Sequence, residues 1–207
     1  SIVFPRNEEE NISFQYGMLG RLESKNNQTQ TIELQDSSII YTGDEMRINA
    51  GYKKGTYFYV IYKGTEGEFA ILYPEEKEKV VDIAELPDTI YPTVLNWSKL
   101  TDPPGYESFF MINSNFELGN LLVLFKRYNK VNEKDKMELA EQIQDEIDKW
   151  GGTQDLASIS NRMDAIVVGG MAFRGDDDGG GLKDMSLTHS CKGDFGIAFK
   201  EIIIDHQ

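Results

Sequence analysis

The spacing of apolar residues predicts strands over the first half of the chain. Up to residue 112, short runs rich in β-branched and aromatic residues are separated by polar or glycine-containing stretches. In one of them Met46, Ile48 and Ala50 alternate with polar residues, which is the period of a strand with one wet face. We therefore predict strands at 12–16, 30–34, 37–41, 45–50, 57–62, 69–73 and 107–112.

Two of these strands have distinctive surroundings. Residues 57–62 are apolar at every position, which predicts a central strand with both faces covered. The five residues 63–67 include two glycines and connect it to residues 69–73, so we expect a hairpin. Pro74 should end the second strand, because proline has no amide hydrogen for a strand ladder. Gly43 and Asp44 are expected to form the turn before residues 45–50.

After Asn113 the apolar spacing becomes helical. Leu118, Leu121 and Phe125 fall on one stripe, and Asn115 is a suitable N-cap, so we predict a helix over 116–129. A second helix, over 133–149, follows Asn132 and has acidic residues in its first turn. Its expected buried stripe consists of Met137, Ala140, Ile143, Ile147 and Trp150. Its expected C-terminal stop is the pair Gly151 and Gly152.

The last part of the chain mixes both patterns. Thr153 can cap a short third helix over 154–162, and strand-like runs return at 165–173, 185–190 and 196–204. We therefore predict the α+β class: an antiparallel β-sheet or β-sandwich with about three helices inserted before the C-terminal strands. One domain over residues 1–207 is favoured, because the last strand needs other strands to cover it. A division near residue 130 is the alternative.

Composition narrows the functional classes. The chain has 207 residues, of which 40% are apolar, and its 35 acidic and 21 basic residues give a formal charge of −14. That charge repels polyphosphate, so we expect no nucleic-acid partner. No apolar run approaches the length of a transmembrane helix. Cys191 is the only cysteine, so it has no partner for an internal disulfide.

A glycine-rich acidic loop is the first candidate site. Asp176, Asp177 and Asp178 lie between Gly175 and Gly179 and offer the hard oxygen ligands that Ca²⁺ prefers. The alternating acidic spacing of an EF-hand is missing, so a solvated loop is the main alternative. Arg174 and Asp176 also belong to an Arg-Gly-Asp tripeptide of the kind that some adhesive proteins present to integrins. A Ca²⁺-responsive adhesion module using residues 174–181 is therefore one hypothesis.

The remaining candidates are aromatic, nucleophilic or acidic. Tyr57, Tyr59 and Trp97 can form an aromatic platform for a sugar or a peptide, or simply part of a core. His189 and Cys191 share one face of a predicted strand, which suggests a nucleophile pair or, equally, a structural thiol. The carboxylates considered for acid–base chemistry are Asp44, Glu107 and Glu117. His206 is the only other histidine, so we expect no histidine-rich metal site.

The order of motifs between residues 37 and 128 resembles a bacterial family of β-rich domains of unknown function. The matching segments are Gly43-Asp44-Glu45-Met46-Arg47-Ile48, Tyr57-Phe58-Tyr59-Val60, Leu72-Tyr73-Pro74 and Pro104-Gly105-Tyr106-Glu107-Ser108-Phe109. Tyr106 stands where the family pattern leads us to expect a small residue. The resemblance implies no catalytic residues. It implies an accessory role beside kinase or caspase-like peptidase domains, or an exported protein standing alone.

The sequence thus predicts a non-catalytic binding or structural module of a bacterial cell-envelope or exported protein, with a protein or surface glycan as partner and no required cofactor. We expect a periplasmic, outer-membrane-associated or secreted location, as a lipoprotein or a free protein, with the cytoplasm as the alternative. Because the chain opens at Ser1 without a leader, we expect a processed form or one lacking its signal. A hydrolase using Cys191 and His189, or paired carboxylates, is the alternative function.

Overall fold

A computed structural model describes residues 12–23, 29–74, 91–151, 187, 189–193 and 195–207. The two helices are α1 (Gly119–Tyr128) and α2 (Glu133–Gly151). The strands are β1 (Ile12–Glu23), β2 (Thr29–Glu33), β3 (Ile39–Ile40), β4 (Glu45–Tyr52), β5 (Tyr57–Lys63), β6 (Phe69–Tyr73), β7 (Tyr91–Val94), β8 (Ser98–Lys99), β9 (Gly105–Ser114), β10 (His189–Gly193) and β11 (Ile197–His206).

The strands form two sheets. The first sheet has the order β10-β1-β4-β7, with β2 also beside β1 and β8 also beside β4, and all of its pairs are antiparallel. The second sheet has the order β3-β11-β9-β5-β6 and is antiparallel except for the β3–β11 pair. Strands from the two ends of the chain are therefore neighbours, as predicted, because β10 pairs with β1 and β11 pairs with β9.

The second sheet is covered on both faces. Phe109, Met111 and Ala198 face the first sheet and share a core with residues such as Phe14 and Ile48. The alternate positions of the same strands face the helices and form a second core: Tyr59, Ile61, Phe110, Ile112, Ile197 and Phe199 pack with Leu121, Phe125, Leu139, Ile143 and Ile147. The layers are thus the first sheet, the second sheet and the helices. Because side chains alternate along a strand, each central strand of the second sheet contributes residues to both cores.

Several local predictions are confirmed. The turn at Gly43 has a left-handed φ of 99°, a conformation that glycine adopts without strain. Strands β5 and β6 form the predicted hairpin, and β6 ends at Tyr73, directly before Pro74. Helix α2 begins after Asn132, whose side-chain oxygen accepts hydrogen bonds from the backbone of Lys134 and Asp135. The β-rich α+β class with inserted helices is likewise confirmed at this level.

Four details of the predicted elements are wrong. Helix α1 begins at Gly119, so its N-cap position is Leu118, which makes no side-chain cap hydrogen bond, and Asn115 lies too far before the helix to cap it. Met137 is 74% exposed, so it does not belong to the buried stripe of α2. Asn49, placed on a wet face by its alternation, is fully buried. Strands β7 and β8 were not predicted, since Pro92 and the polar residues around them hide the pattern.

Two helices, rather than three, lie in the part of the chain that the structure describes. The third predicted helix, 154–162, and the predicted strand at 165–173 fall outside those residues, as does most of the predicted strand at 185–190. Neither α1 nor α2 combines the length and the apolar character that a membrane-crossing helix needs.

Candidate functional site

The three residues of the predicted aromatic platform lie in different environments. Tyr57 is exposed, whereas Tyr59 is buried in the helix-facing core. The Tyr59 hydroxyl oxygen accepts a hydrogen bond of 3.3 Å from the amide of Leu118, at the start of α1. Tyr59 therefore serves the packing of the helix on the sheet, and the structure does not present it on a surface with the other two residues.

Trp97 is engaged by two arginines of the first sheet. The guanidinium carbons of Arg21 and Arg47 lie 4.0 and 4.6 Å from the centroid of its ring. Arg21 also donates to a carboxylate oxygen of Glu45 at 3.0 Å. The ring thus makes cation–π contacts within the protein, which are stronger for tryptophan than for other aromatic residues.

His189 and Cys191 lie on β10, as neighbours on one face of the strand, but they contact different groups. The Cys191 thiol is 3.2 Å from the carbonyl oxygen of Phe199, to which it donates. The His189 imidazole is 3.0 Å from a carboxylate oxygen of Glu33 and is stacked on the ring of Tyr16. The thiol is therefore directed into the protein, which is the opposite of what an attacking nucleophile requires.

The acidic-loop candidates, Asp176, Asp177 and Asp178, lie outside the described residues, and so does Arg174. Within the part of the chain that is described, no group of three or more histidine, cysteine or acidic side chains is arranged to hold a metal ion.

The three acidic candidates differ in burial and in their hydrogen bonds. Glu117 is exposed, and Asp44 accepts a hydrogen bond from the amide of Tyr41 within its own turn, as an aspartate in a turn commonly does. Glu107 is different, because it is 2% exposed and lies beside His206, which is 1% exposed. The carboxylate oxygen Oε1 of Glu107 is 2.9 Å from Nδ1 of His206.

This buried pair continues to the surface through a chain of hydrogen bonds. The Nε2 atom of His206 is 2.9 Å from the hydroxyl oxygen of Thr42, and that hydroxyl is 3.0 Å from Oδ1 of Asp102. Thr42 and Asp102 are both exposed. We call these four residues, Glu107, His206, Thr42 and Asp102, the relay; it links β9 and β11 to the turn after β3 and to the segment before β9.

The strand register explains how the pair forms. Gly105 is the direct partner of His206 across the β9–β11 ladder, and Ile204 is the partner of Glu107. Glu107 and His206 are therefore diagonal neighbours on one face, within reach of long side chains.

Burial changes the acidity of Glu107. Loss of solvent raises the pKa of Glu107 above its ordinary value, and the hydrogen bond to His206 offsets part of this effect. Burial also raises the pKa of the nearby Tyr62 hydroxyl, with the negative charge of Glu107 as the next cause. Oε2 of Glu107 makes no geometrically good hydrogen bond in the structure, although Tyr62 is close enough for each group to affect the other's pKa.

The sequence pointed to Glu107 as an acid–base candidate, but nothing in its local pattern pointed to His206 as its partner. A usable signal was present, because Ile202, Ile204 and His206 continue one alternation and so share the buried face of β11. Comparison of the chain with family models, with curated proteins and with solved structures finds no match. The resemblance over residues 37–128 therefore stays a prediction.

Proposed function

We propose that this protein is a non-catalytic binding or structural module of a bacterial cell-envelope or exported protein. The observation that carries the proposal is the direction of the hydrogen bonds at Thr42. Its single hydroxyl hydrogen is donated to Asp102, whose carboxylate only accepts, so this hydrogen is not donated to His206 Nε2. A hydroxyl nucleophile needs the opposite arrangement, with its hydrogen donated to the imidazole.

The backbone around Thr42 supports the same view. The amides of Thr42, Gly43 and Asp44 donate to the carbonyl oxygens of Gln207, Leu100 and Tyr41. Stabilisation of a tetrahedral intermediate needs amide hydrogens that point at the developing oxyanion. The three amides of this turn hold the turn itself instead.

For the partner, we favour a protein or a surface glycan. Tyr41, Tyr106 and Ile39 are 57%, 71% and 49% exposed. Ile39 and Tyr106 flank Asp205 on adjacent strands, so an apolar contact and a carboxylate are presented together. The extracytoplasmic location rests on the family resemblance alone, and a Ca²⁺ requirement through residues 176–178 is a weaker proposal that calorimetric titration with Ca²⁺ tests.

A hydrolase is the second candidate, and one observation favours it. The order hydroxyl, imidazole, carboxylate, with both contacts at 2.9 Å and the hydroxyl at the surface, is that of a nucleophilic triad. The hydrolase first considered, with Cys191 and His189, has less support because the thiol donates to a buried carbonyl.

Reaction with mechanism-based probes separates these functions. The purified protein is treated with a fluorophosphonate and with iodoacetamide, and labelling is read by intact mass. We expect neither reagent to label the folded protein, with the urea-unfolded protein as the positive control for Cys191. Fluorophosphonate labelling of Thr42 that is lost in His206→Gln would establish the triad, and rapid thiol labelling lost in His189→Gln would establish the cysteine pair; either result would refute the non-catalytic proposal.

A further inference from the structure

The relay has more contacts than it has hydrogens to fill them. Its three contacts, Glu107 to His206, His206 to Thr42, and Thr42 to Asp102, each need one hydrogen between the two heavy atoms. The Thr42 hydroxyl supplies one, and a neutral imidazole supplies one. With both carboxylates ionised, two hydrogens serve three contacts. One additional proton, on the imidazole or on Glu107, fills all three.

The surroundings of the pair favour that additional proton. The groups that act on Glu107 are His206, Tyr62 on β5 and Glu68 in the β5–β6 turn, whereas Asp102 reaches the pair through Thr42 and Asp205 lies on the opposite face of β11. Burial has the largest effect and raises the pKa of Glu107, because it disfavours the ionised carboxylate. The Glu68 charge acts in the same direction, whereas the hydrogen bonds to His206 and Tyr62 offset part of the rise.

We propose that the relay is a proton-dependent latch: with one additional proton it fixes the turn at Thr42 and the segment at Asp102 to the end of β11, and on losing that proton it releases them. This device goes beyond the proposed binding function and does not depend on it. We expect the hydrogen bond at the exposed end of the relay to break first, because water can donate to Thr42 or Asp102 there in place of the lost partner.

The sign of the pH dependence follows from the direction of the shift. Because Glu107 has a pKa above its ordinary value of 4.5 in the folded protein, the latch is fully closed at and below that pH. It opens as the pH rises through the raised pKa of Glu107. A rise in pH therefore loosens the loops, whereas a carboxylate stabilised by a cation would give the reverse.

Hydrogen exchange at single amides reads the latch directly. The amides of Thr42 and Gln207 bond to Gln207 and Ile40, so both report the attachment of the turn to the strand end. Protection factors, corrected for the intrinsic pH dependence of exchange, are measured by NMR from about pH 4 to about pH 8, a range that begins below the ordinary pKa of a glutamate and extends well above it. We expect protection at these two amides to fall roughly five- to tenfold across that range, the change that loss of one hydrogen bond produces.

Asp102→Asn is the decisive variant, and it changes an exposed residue. The new side-chain amide can donate to the Thr42 oxygen, which frees the hydroxyl hydrogen for His206 Nε2. All three contacts are then filled without the additional proton. We expect protection at Thr42 in this variant to remain high throughout the pH range. Asp205→Asn removes the same charge beside His206, on the opposite face of β11, and should keep the pH dependence of the unmodified protein.

A second pair of variants tests the hydroxyl itself. Thr42→Val should give low protection at every pH, and Thr42→Ser should restore the pH dependence. Protection at Thr42 that does not vary with pH in the unmodified protein would overturn the proposal. So would a parallel fall at the Ile112 amide in the middle of β9, since that indicates global loosening, or an Asp102→Asn variant that loses protection as the unmodified protein does.

Discussion

The packing of α2 on the second sheet makes a prediction about cooperativity that Ile143→Ala tests. Ile143 is fully buried and shares its core with Phe110 and Ile112 of β9. Replacing a buried isoleucine by alanine costs about 2–5 kcal/mol, so we expect a loss of about 3 kcal/mol in the free energy of unfolding. For a chain of this size that loss lowers Tm by about 6–12 °C.

The loss should reach the far sheet as well as the helix. Residues of β9 alternate between the two cores, with Phe110 toward the helices and Phe109 and Met111 toward the first sheet. A sheet that is held between both cores cannot lose one of them and keep its other face packed. We therefore expect one cooperative transition, which is the consequence of a single domain.

The two tryptophans report the two ends of the layered structure. Trp97 lies against arginines of the first sheet, and Trp150 lies at the end of α2 beside Phe116. Trp150→Phe and Trp97→Phe each leave one tryptophan, and Ile143→Ala is introduced into both backgrounds. Urea unfolding followed by fluorescence should give the same lowered midpoint with either reporter.

Different responses of the two tryptophans would refute this prediction. If Ile143→Ala shifts the transition reported by Trp150 and leaves that of Trp97 unchanged, α1 and α2 form a separate unit and the division near residue 130 is correct. Met137→Ala is the matched control on the same helix, because Met137 is 74% exposed. It should change stability by no more than about 0.5 kcal/mol.

Further predictions concern backbone space and alkaline stability. A Cβ added at Gly193 would lie 1.7 Å from the Ile197 carbonyl oxygen, so Gly193→Ala should lower the free energy of unfolding by about 2 kcal/mol or more. A Cβ at Gly119 meets nothing within 4 Å, so Gly119→Ala should raise it by up to about 0.5 kcal/mol. Thermal melts of the two variants measure both changes. Burial raises the pKa of Tyr16 from 10.0 to about 12, so stability should fall as the pH rises from 10 toward 12, where the unfolded chain alone releases this proton. In Tyr16→Phe the slope of stability against pH in that range should be smaller, and an equal slope would contradict the assignment.

The strands that were predicted well are those whose pattern is local. The alternation in β4, the hairpin loop between β5 and β6 and the proline after β6 each lie within a few residues of the strand that they predict. Strands β7 and β8 were not predicted, because their own residues carry no strand pattern and they form by pairing with β4. Met137 was assigned to the buried face of α2 for a similar reason. Helical spacing fits more than one set of apolar residues, and only the position of the sheet decides which set is buried.

The residues of the candidate site are far apart in the sequence, so no local pattern predicts that they meet. Glu107 and His206 are 99 positions apart, and Thr42 and His206 are 164 apart. The β9–β11 register sets the first contact, and the pairing of β3 with β11 brings the turn to the second. For Tyr59 the sequence left a binding platform and a core position open, and only the packing of α1 on the sheet decides for the core.

The β9–β11 pair explains why a latch can act without unfolding the protein. At one end of this ten-residue ladder, Ile197 and Phe199 of β11 pack with Ile112 under the helices. At the other end, Gly105, Glu107 and His206 meet loops through the relay. The group that titrates is therefore separated along the strands from the helix-facing core. Opening at Thr42 breaks contacts of an exposed turn and leaves that core intact, so the free energy of local opening is smaller than that of global unfolding.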